Sequence, residues 1–389
     1  MAIPFVYNLR NVAQRPVSTL TTMVGIGLTV AVLLAALSLA EGFRATQDST
    51  GSPDNLLVLR KGADSEIASG IALSAAEILR DDPNVAHGPD GRPLASLEML
   101  TTTNLDRVGQ TGSSNIRVRG VDLATIGVRA TPRIVEGRMF TPGSDEVVVG
   151  AAIAPRFAHC GVGDVIKFQR RRFKVVGHFT TGGSSFESEI WGDAGVLMPV
   201  FHREGAYQLV VLRMKDPSRF DAIKHAFEGD PRLGVEVERE SDFYAEQSRA
   251  LTGLIRGIGV FITLIMAIGA LFGAANTMFA AVSGRTREIA TLLVFGFSPW
   301  AVLASFVTES VIIAVAGGAL GCLIALPING ITTSTTNLQS FSEVAFRFRV
   351  TPPLMVAALV FSALLGVAGG FVPALKAARQ SLAIGLRRG

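Results

Sequence analysis

The chain is short of charge. Of its 389 residues, 36 are Lys or Arg and 32 are Asp or Glu, so 17% are charged while 49% are hydrophobic. Soluble domains usually run near about 25% charged. Cysteine is scarcer still. Cys160 falls in a stretch of mixed polarity and Cys322 in an apolar run, which excludes a disulfide scaffold and offers no metal-ligand spacing. No Gly-Lys dipeptide occurs, so no Walker A loop can cradle a nucleotide phosphate. The five histidines, His87, His159, His178, His202 and His225, never stand at i, i+4, and a Gly-x-Ser-x-Gly elbow is absent. The residues therefore name no catalytic centre and no metal site.

What is present is apolar and long. Residues 17–40, 257–284 and 350–375 contain no Asp, Glu, Lys or Arg, and 289–342 contains only Glu309. An uncharged apolar stretch of about 18 or more residues is long enough to cross the hydrocarbon of a bilayer. The expected class is an α-helical membrane protein with four transmembrane helices and a large extracytoplasmic α/β domain. The pI of 9.3 would suggest a polyanion partner if the basic residues were spread evenly. They are not. Arg10, Arg15, Arg285, Arg287, Lys376, Arg379, Arg387 and Arg388 flank the spans with only Glu288 beside them, and the remainder is slightly acidic. The positive-inside rule then places both termini and the 284–298 loop in the cytoplasm and the large block outside. Nucleic-acid binding is not expected. A cleaved signal peptide ending near Ser38 and Ala40 is the competing reading of the first run, but 17–40 exceeds an h-region of about 7–15 residues.

The expected order is an interfacial amphipathic helix over 1–16, spans over 17–40, 254–282, 298–326 and 353–375, an extracytoplasmic domain over 41–253, a loop over 283–297, an outer loop over 327–352 and a tail over 376–389. Phe5, Leu9, Val12 and Ala13 recur at helical spacing opposite Asn8, Asn11 and Arg15. Inside the large block, Asn55–Arg60, Leu73–Arg80 and Asp82-Pro83 are echoed by Gln208–Arg213, Phe220–Phe227 and Asp230-Pro231. This predicts a duplicated βαβ subdomain whose halves pack together. Between them, about 115–199, short β runs punctuated by glycine predict a β-rich insertion, such as a small barrel or sandwich. The spacings Gly269-x-x-x-Gly273, Gly317-x-x-x-Gly321 and Gly366-x-x-x-Gly370 predict close helix packing. Glu309, the one Asp, Glu, Lys or Arg within the apolar runs, reads either as a proton or substrate site or as a carboxyl tying helices together; a single such residue favours the second reading.

The loop between the second and third spans reads Ser283-Gly284-Arg285-Thr286-Arg287-Glu288-Ile289, then runs through Leu292 and Leu293 to Gly296. Ser283 can cap a short helix, Ile289, Leu292 and Leu293 can share a face, and Gly296 can close it. By physics alone this suits either a docking helix or an ordinary interfacial one. The stretch Arg285–Gly296 resembles the coupling-helix signature of the MacB/FtsX-type ABC transporter permeases. Further agreement comes from Asn8-Leu9-Arg10 with Pro16 to Gly27, from Val147–Gly150, Gly161-Val162-Gly163-Asp164 and Phe173–Gly177, and from Pro373-Ala374, Ala377-Ala378 and Leu386-Arg387. The chain departs from the pattern at Leu292 and Leu293, where a basic residue is common, and near Leu382, where a proline is usual.

The resemblance implies a separate-type permease subunit of the bacterial inner membrane. In such a subunit Arg285, Thr286, Arg287, Glu288, Ile289, Leu292 and Gly296 would engage a cytoplasmic ABC ATPase. ATP and Mg would sit on that partner, with no cofactor bound directly by this chain. It also implies mechanotransmission, a second permease copy (homodimer) or a related permease, and a periplasmic adaptor. Export or extraction of a substrate is the expected outcome. An FtsX-like regulator of a periplasmic cell-wall hydrolase and a membrane-anchored sensor are the alternatives.

Overall fold

The computed structural model describes residues 7, 10–12, 14–109, 111–122, 124–129, 132–337 and 340–379. Most of the amphipathic pattern of 1–16, the Asn8-Leu9 motif, Leu382, Leu386, Arg387 and Arg388 lie outside them. In chain order the elements are α1 (Pro16–Asp48), β1 (Asn55–Arg60), β2 (Ile71–Ala72), α2 (Leu73–Arg80), β3 (Ala95–Asp106), β4 (Ser113–Val121), α3 (Thr125–Val128), β5 (Arg133–Gly137) and β6 (Glu146–Gly150). There follow β7 (Val165–Phe168), β8 (Arg171–Thr180), β9 (Glu189–Asp193), α4 (Ala194–Val200), β10 (Ala206–Tyr207), β11 (Leu209–Arg213), α5 (Phe220–Gly229) and β12 (Val235–Arg239). The last are α6 (Glu240–Gly284), α7 (Thr286–Val294), α8 (Pro299–Ala325), β13 (Thr332–Thr336), β14 (Glu343–Arg347) and α9 (Pro352–Ala378). The chain divides into a helical unit, 1–41, 252–331 and 348–389, and an α/β unit, 42–251 with 332–347.

Among the described residues four helices, α1, α6, α8 (with the turn to Ile328) and α9, are long and apolar enough to cross a membrane. Pro16, Pro299 and Pro352 each open one, where the missing N–H is one the helix could not have bonded anyway. Ser298 caps α8 by accepting from the Ala301 N–H at 3.2 Å. Two helices run beyond their apolar stretches. α1 continues through Glu41–Asp48, and α6 begins at Glu240, well before the charge-free run. Both extensions keep a buried face, with Phe43, Thr46 and Gln47 on one and Phe243, Tyr244 and Ser248 on the other, so helical periodicity persists where hydropathy falls.

Within the helical unit, small residues set the approach distances. A Cβ on Gly321 would meet the Gly27 carbonyl oxygen at 2.4 Å, and one on Gly317 the Met23 carbonyl oxygen at 2.7 Å, so α1 and α8 touch backbone to backbone. A Cβ on Gly366 would meet Val311 Cα at 2.9 Å in the contact of α8 with α9. Ser310 donates to the Gly366 carbonyl at 2.7 Å in the same contact. Gly269 and Gly273 are different: nothing lies within 4 Å of either added Cβ. No other described residue of its own chain approaches that pair.

The α/β unit is built on one path of strands, β12-β1-β11-β3-β4-β9-β6-β8-β5, with β7 on β8. The β4/β9 and β6/β8 pairs are parallel. The echoed segments are neighbours: β1 pairs antiparallel with both β11 and β12. Their helices share a core in which Leu56, Val58, Ala76 and Leu79 meet Val210, Leu212, Ile223 and Phe227. Leu57 and Leu59 enter a second core on the other face, which explains the unbroken apolar run of β1. The 115–199 segment is neither a separate barrel nor a sandwich. The twelve-residue β3 pairs with β11 through Ala95–Glu98 and with β4 through Met99–Asp106. One long strand thus serves two neighbours and carries the sheet onward. The expected outer loop, 327–352, instead contains an antiparallel hairpin, β13 with β14, and that hairpin belongs to the α/β unit.

Candidate functional site

The loop helix α7 starts at Thr286, with Arg285 at its N-cap and no side-chain cap. Ser283 does not serve as the cap, because α6 continues through it to Gly284. At the other end Gly296 takes φ +86°. Its N–H bonds to the Leu293 carbonyl at 3.1 Å, and the Phe297 N–H bonds to the Leu292 carbonyl at 3.1 Å. This paired closure needs a left-handed residue at Gly296.

The structure separates the loop residues into two sets. Arg285 turns inward and is only 9% exposed. Its Nη1 donates to Glu309 at 3.0 Å and its Nε to Glu288 at 3.1 Å. The guanidinium lies over the rings of Tyr7 at 5.3 Å and Phe306 at 5.5 Å. Tyr7 Oη also donates to Glu288, at 3.2 Å. Ile289 is buried with Met278, Val282, Val302 and Phe306. Leu292 and Thr286 are half-buried, while Arg287 and Glu288 are exposed, as are the apolar Val294, Phe295 and Trp300. Glu309 therefore ties α8 to the loop through Arg285. The faces available to a partner carry Arg287, Glu288 and Phe295.

A second constellation escaped the sequence reading. Arg117, Arg119 and Arg129 are buried in the α/β unit together with Glu66, Glu98, Glu189 and Glu240. Arg119 holds Glu189 through two bonds, of 2.6 and 2.7 Å, and also reaches Glu98. Arg129 grips Glu98 at 2.7 and 2.9 Å and pairs with Glu240, the first residue of α6. Asn55 donates to Glu240 at 2.7 Å, Tyr244 to Glu66 at 2.8 Å, and Trp191 Nε1 to Glu189 at 2.8 Å. The Arg129 guanidinium stacks 4.4 Å from the centre of the Phe186 ring. Burial alone would raise the Glu98 carboxyl, but Arg129 and Arg119 outweigh it and hold it at about 2. Glu240 also sits where the helix dipole favours an anion. The network thus binds β3, β4 and β9 to the first turn of α6. A trace of it was visible in the sequence: Arg117-x-Arg119 within Ile116–Val121 and Glu98 within an apolar run are charges where a strand would be buried.

The β13–β14 hairpin is held in a related way. Glu343 is buried and pairs with Arg107 and, at 2.8 Å, with Arg156. Ser188 accepts from the Ala345 N–H at 2.9 Å, and Phe346 packs on Phe43 with ring centres 5.4 Å apart. Among the described residues, no group of three or more His, Cys, Asp or Glu side chains could hold a metal ion. Burial, reinforced by Asp164, pushes the Cys160 thiol up to about 12, which leaves it no thiolate character near neutral pH.

Four apolar helices, an α/β domain inserted after the first of them and a short charged helix between the second and third define a multi-pass membrane protein of the permease class. Residues 19–229 match the MacB-like periplasmic core domain and residues 260–382 the FtsX-like permease C-terminal domain. The chain belongs to the MacB/FtsX-type family of ABC transporter permeases. It is similar to a macrolide export ATP-binding/permease protein MacB of Bordetella avium, 24% identical over 388 residues, covering 93% of this chain and 56% of that one. An uncharacterized ABC transporter permease of Methanocaldococcus jannaschii is 26% identical over 223 residues, 56% of this chain and 55% of its own. The chain thus spans a little over half the length of these curated relatives. The crystal structure of the periplasmic region of MacB from Actinobacillus actinomycetemcomitans aligns over 51% of this chain and 93% of that one, with a TM-score of 0.37 and 13% identity.

Proposed function

We propose that this permease works by mechanotransmission, with ATP hydrolysed on a partner ATPase that docks at α7, and with the α/β unit moving on the far side of the membrane. The observation that carries this reading is α6. It runs as one helix for 45 residues, about 70 Å at 1.5 Å per residue. Its first residue, Glu240, is fixed in the buried network, and the residue after its last, Arg285, is fixed by Glu309 and Glu288. Such a helix suits the passage of displacement rather than of cargo. Glu309, the one Asp, Glu, Lys or Arg within the runs 17–40, 257–284, 289–342 and 350–375, is committed to Arg285.

Proline at Leu254 tests the reading. The side chain is half exposed, while a proline inside a helix removes a hydrogen bond and costs about 3 kcal/mol. Leu254→Pro should leave ATPase association intact and abolish the response of ATP hydrolysis to the permease. Coupling as in the wild type would sink the proposal.

The orientation we infer puts both termini and α7 in the cytoplasm of a bacterial inner membrane. Ser218 and Ser283 are both exposed, while Cys160 and Cys322 are buried. In whole cells a membrane-impermeant thiol reagent should label Ser218→Cys and spare Ser283→Cys. The reverse result would invert the topology. A second copy of this chain fits the open glycines of α6, which are flanked by exposed Ile265, Ile268 and Phe272. Gly269→Leu with Gly273→Leu should convert a dimer to a monomer in light scattering of the solubilised protein. An unchanged mass would exclude that face.

A further inference from the structure

The α/β unit contains a cavity of about 400 Å³, within the size range of small-molecule sites. Its apolar lining comes from Phe43, Leu57, Leu59, Phe243 and Leu251. The titratable side chains lining it are Asp64, Glu236, Glu238 and Glu246, all acidic. None of these four carboxylates makes an ion pair or a side-chain hydrogen bond among the described residues. That contrasts with the adjoining buried network, whose Glu66 and Glu240 lie two residues along the chain from Asp64 and Glu238 and where each carboxylate has its arginine. Lys224, whose charge acts on Glu238, pairs with Glu228 at 3.5 Å. At one edge Asn337 donates to Gln247 at 3.3 Å, adding neutral polar atoms to the lining.

From this cavity we infer a binding site for a small organic cation with an apolar body. The two phenyl rings and three leucines remove the body from water, and an ammonium or similar head is attracted both by the ring faces and by the carboxylates. An anion of the same shape would meet four like charges. A neutral apolar guest would leave the acidic groups without a counter-charge. The crowding is visible in Glu238, whose carboxyl is raised by burial and then by Glu246 and Glu236; a bound cation relieves that repulsion. The occupant is thus set by charge complementarity over an apolar lining.

Tetraphenylphosphonium and tetraphenylborate separate charge from shape, since they are near-isosteric ions of opposite sign. In titration calorimetry on the detergent-solubilised full chain, the phosphonium should bind and the borate should bind at least tenfold more weakly. Glu236→Gln with Glu246→Gln, both at exposed side chains outside the buried network, should weaken phosphonium binding by tenfold or more without lowering the melting temperature. Equal binding of the two ions would make the cavity an apolar slot for a lipid chain and overturn the inference. Phosphonium binding unchanged in the double variant would overturn it as well. As a cargo site the cavity rests on the transport reading above. The titration needs no ATPase, so its failure leaves the coupling proposal standing, and loss of coupling leaves the binding result standing.

Discussion

Arg287→Ala or Glu288→Ala, reconstituted with the partner ATPase, should lose most of the coupling between hydrolysis and transport while the permease still folds and inserts. Both side chains are exposed on the loop helix. Arg287 makes no ion pair among the described residues, whereas Glu288 also accepts from Arg285 and Tyr7, so Arg287→Ala is the cleaner of the two variants. A docked partner would desolvate these charges. Truncating a charge paired at such a contact commonly costs about 2–5 kcal/mol, partly because the opposing group is left unpaired. Co-purification and ATPase assays measure the loss directly. Arg285→Ala should behave differently. Arg285 is buried against Glu309, Tyr7 and Phe306, so its removal should lower the melting temperature of the permease alone. Glu309→Gln keeps an oxygen to accept from Arg285 and should affect coupling less than the loop variants. If the loop variants transport like the wild type while Glu309→Gln abolishes transport, a proton-coupled mechanism replaces the mechanical one.

The second large effect lies in the α/β unit. Glu98→Gln leaves Arg119 and Arg129 buried with one carboxylate fewer, and breaking a buried pair from one side typically costs about 3–5 kcal/mol. The midpoint of chemical denaturation of the full chain should fall accordingly. The same carboxylate makes a pH signature. Glu98 is held at about 2 in the folded protein, against an ordinary value of 4.5. Its contribution is therefore complete above pH 4.5 and disappears as the pH falls towards 2. In Glu98→Gln that part of the acid-induced loss of stability should be absent. A variant as stable as the wild type, with the same acid slope, would show that the network adds nothing to folding.

Length and charge made the spans legible, because a run such as 257–284 without a single ionisable residue has few other uses. The echo of Asn55–Arg60 in Gln208–Arg213 was legible too, since duplicated strands keep their apolar pattern when they pair in one core. Three features were not. The polar starts and ends of the long helices hide from hydropathy, as Glu240–Gly253 reads like any soluble segment until Phe243 and Tyr244 find a core. Thr332–Thr336 is a strand of five small polar residues with no apolar face, and it forms because Glu343–Arg347 and the Glu343 ion pairs hold it. The Arg–Glu network joins residues more than a hundred positions apart, such as Arg129 and Glu240, and no local pattern marks that distance. At the loop, the signature named candidate residues but carried no information on their directions. Arg285 and Ile289 face the permease, and only the folded packing separates them from Arg287 and Glu288.

The hairpin also bears on how this protein can be taken apart. The α/β unit is not one uninterrupted piece of chain: residues 42–251 fold with 332–347, which arrive from between two membrane helices. A soluble fragment cut at 42 and 251 would keep Arg107 and Arg156 but not Glu343, and would bare the surface on which Phe346 sits. Such a fragment is an incomplete domain, and a synthetic peptide of residues 332–347 is its natural complement. Protein-fragment complementation is thereby built into the topology, with the missing piece supplied in trans.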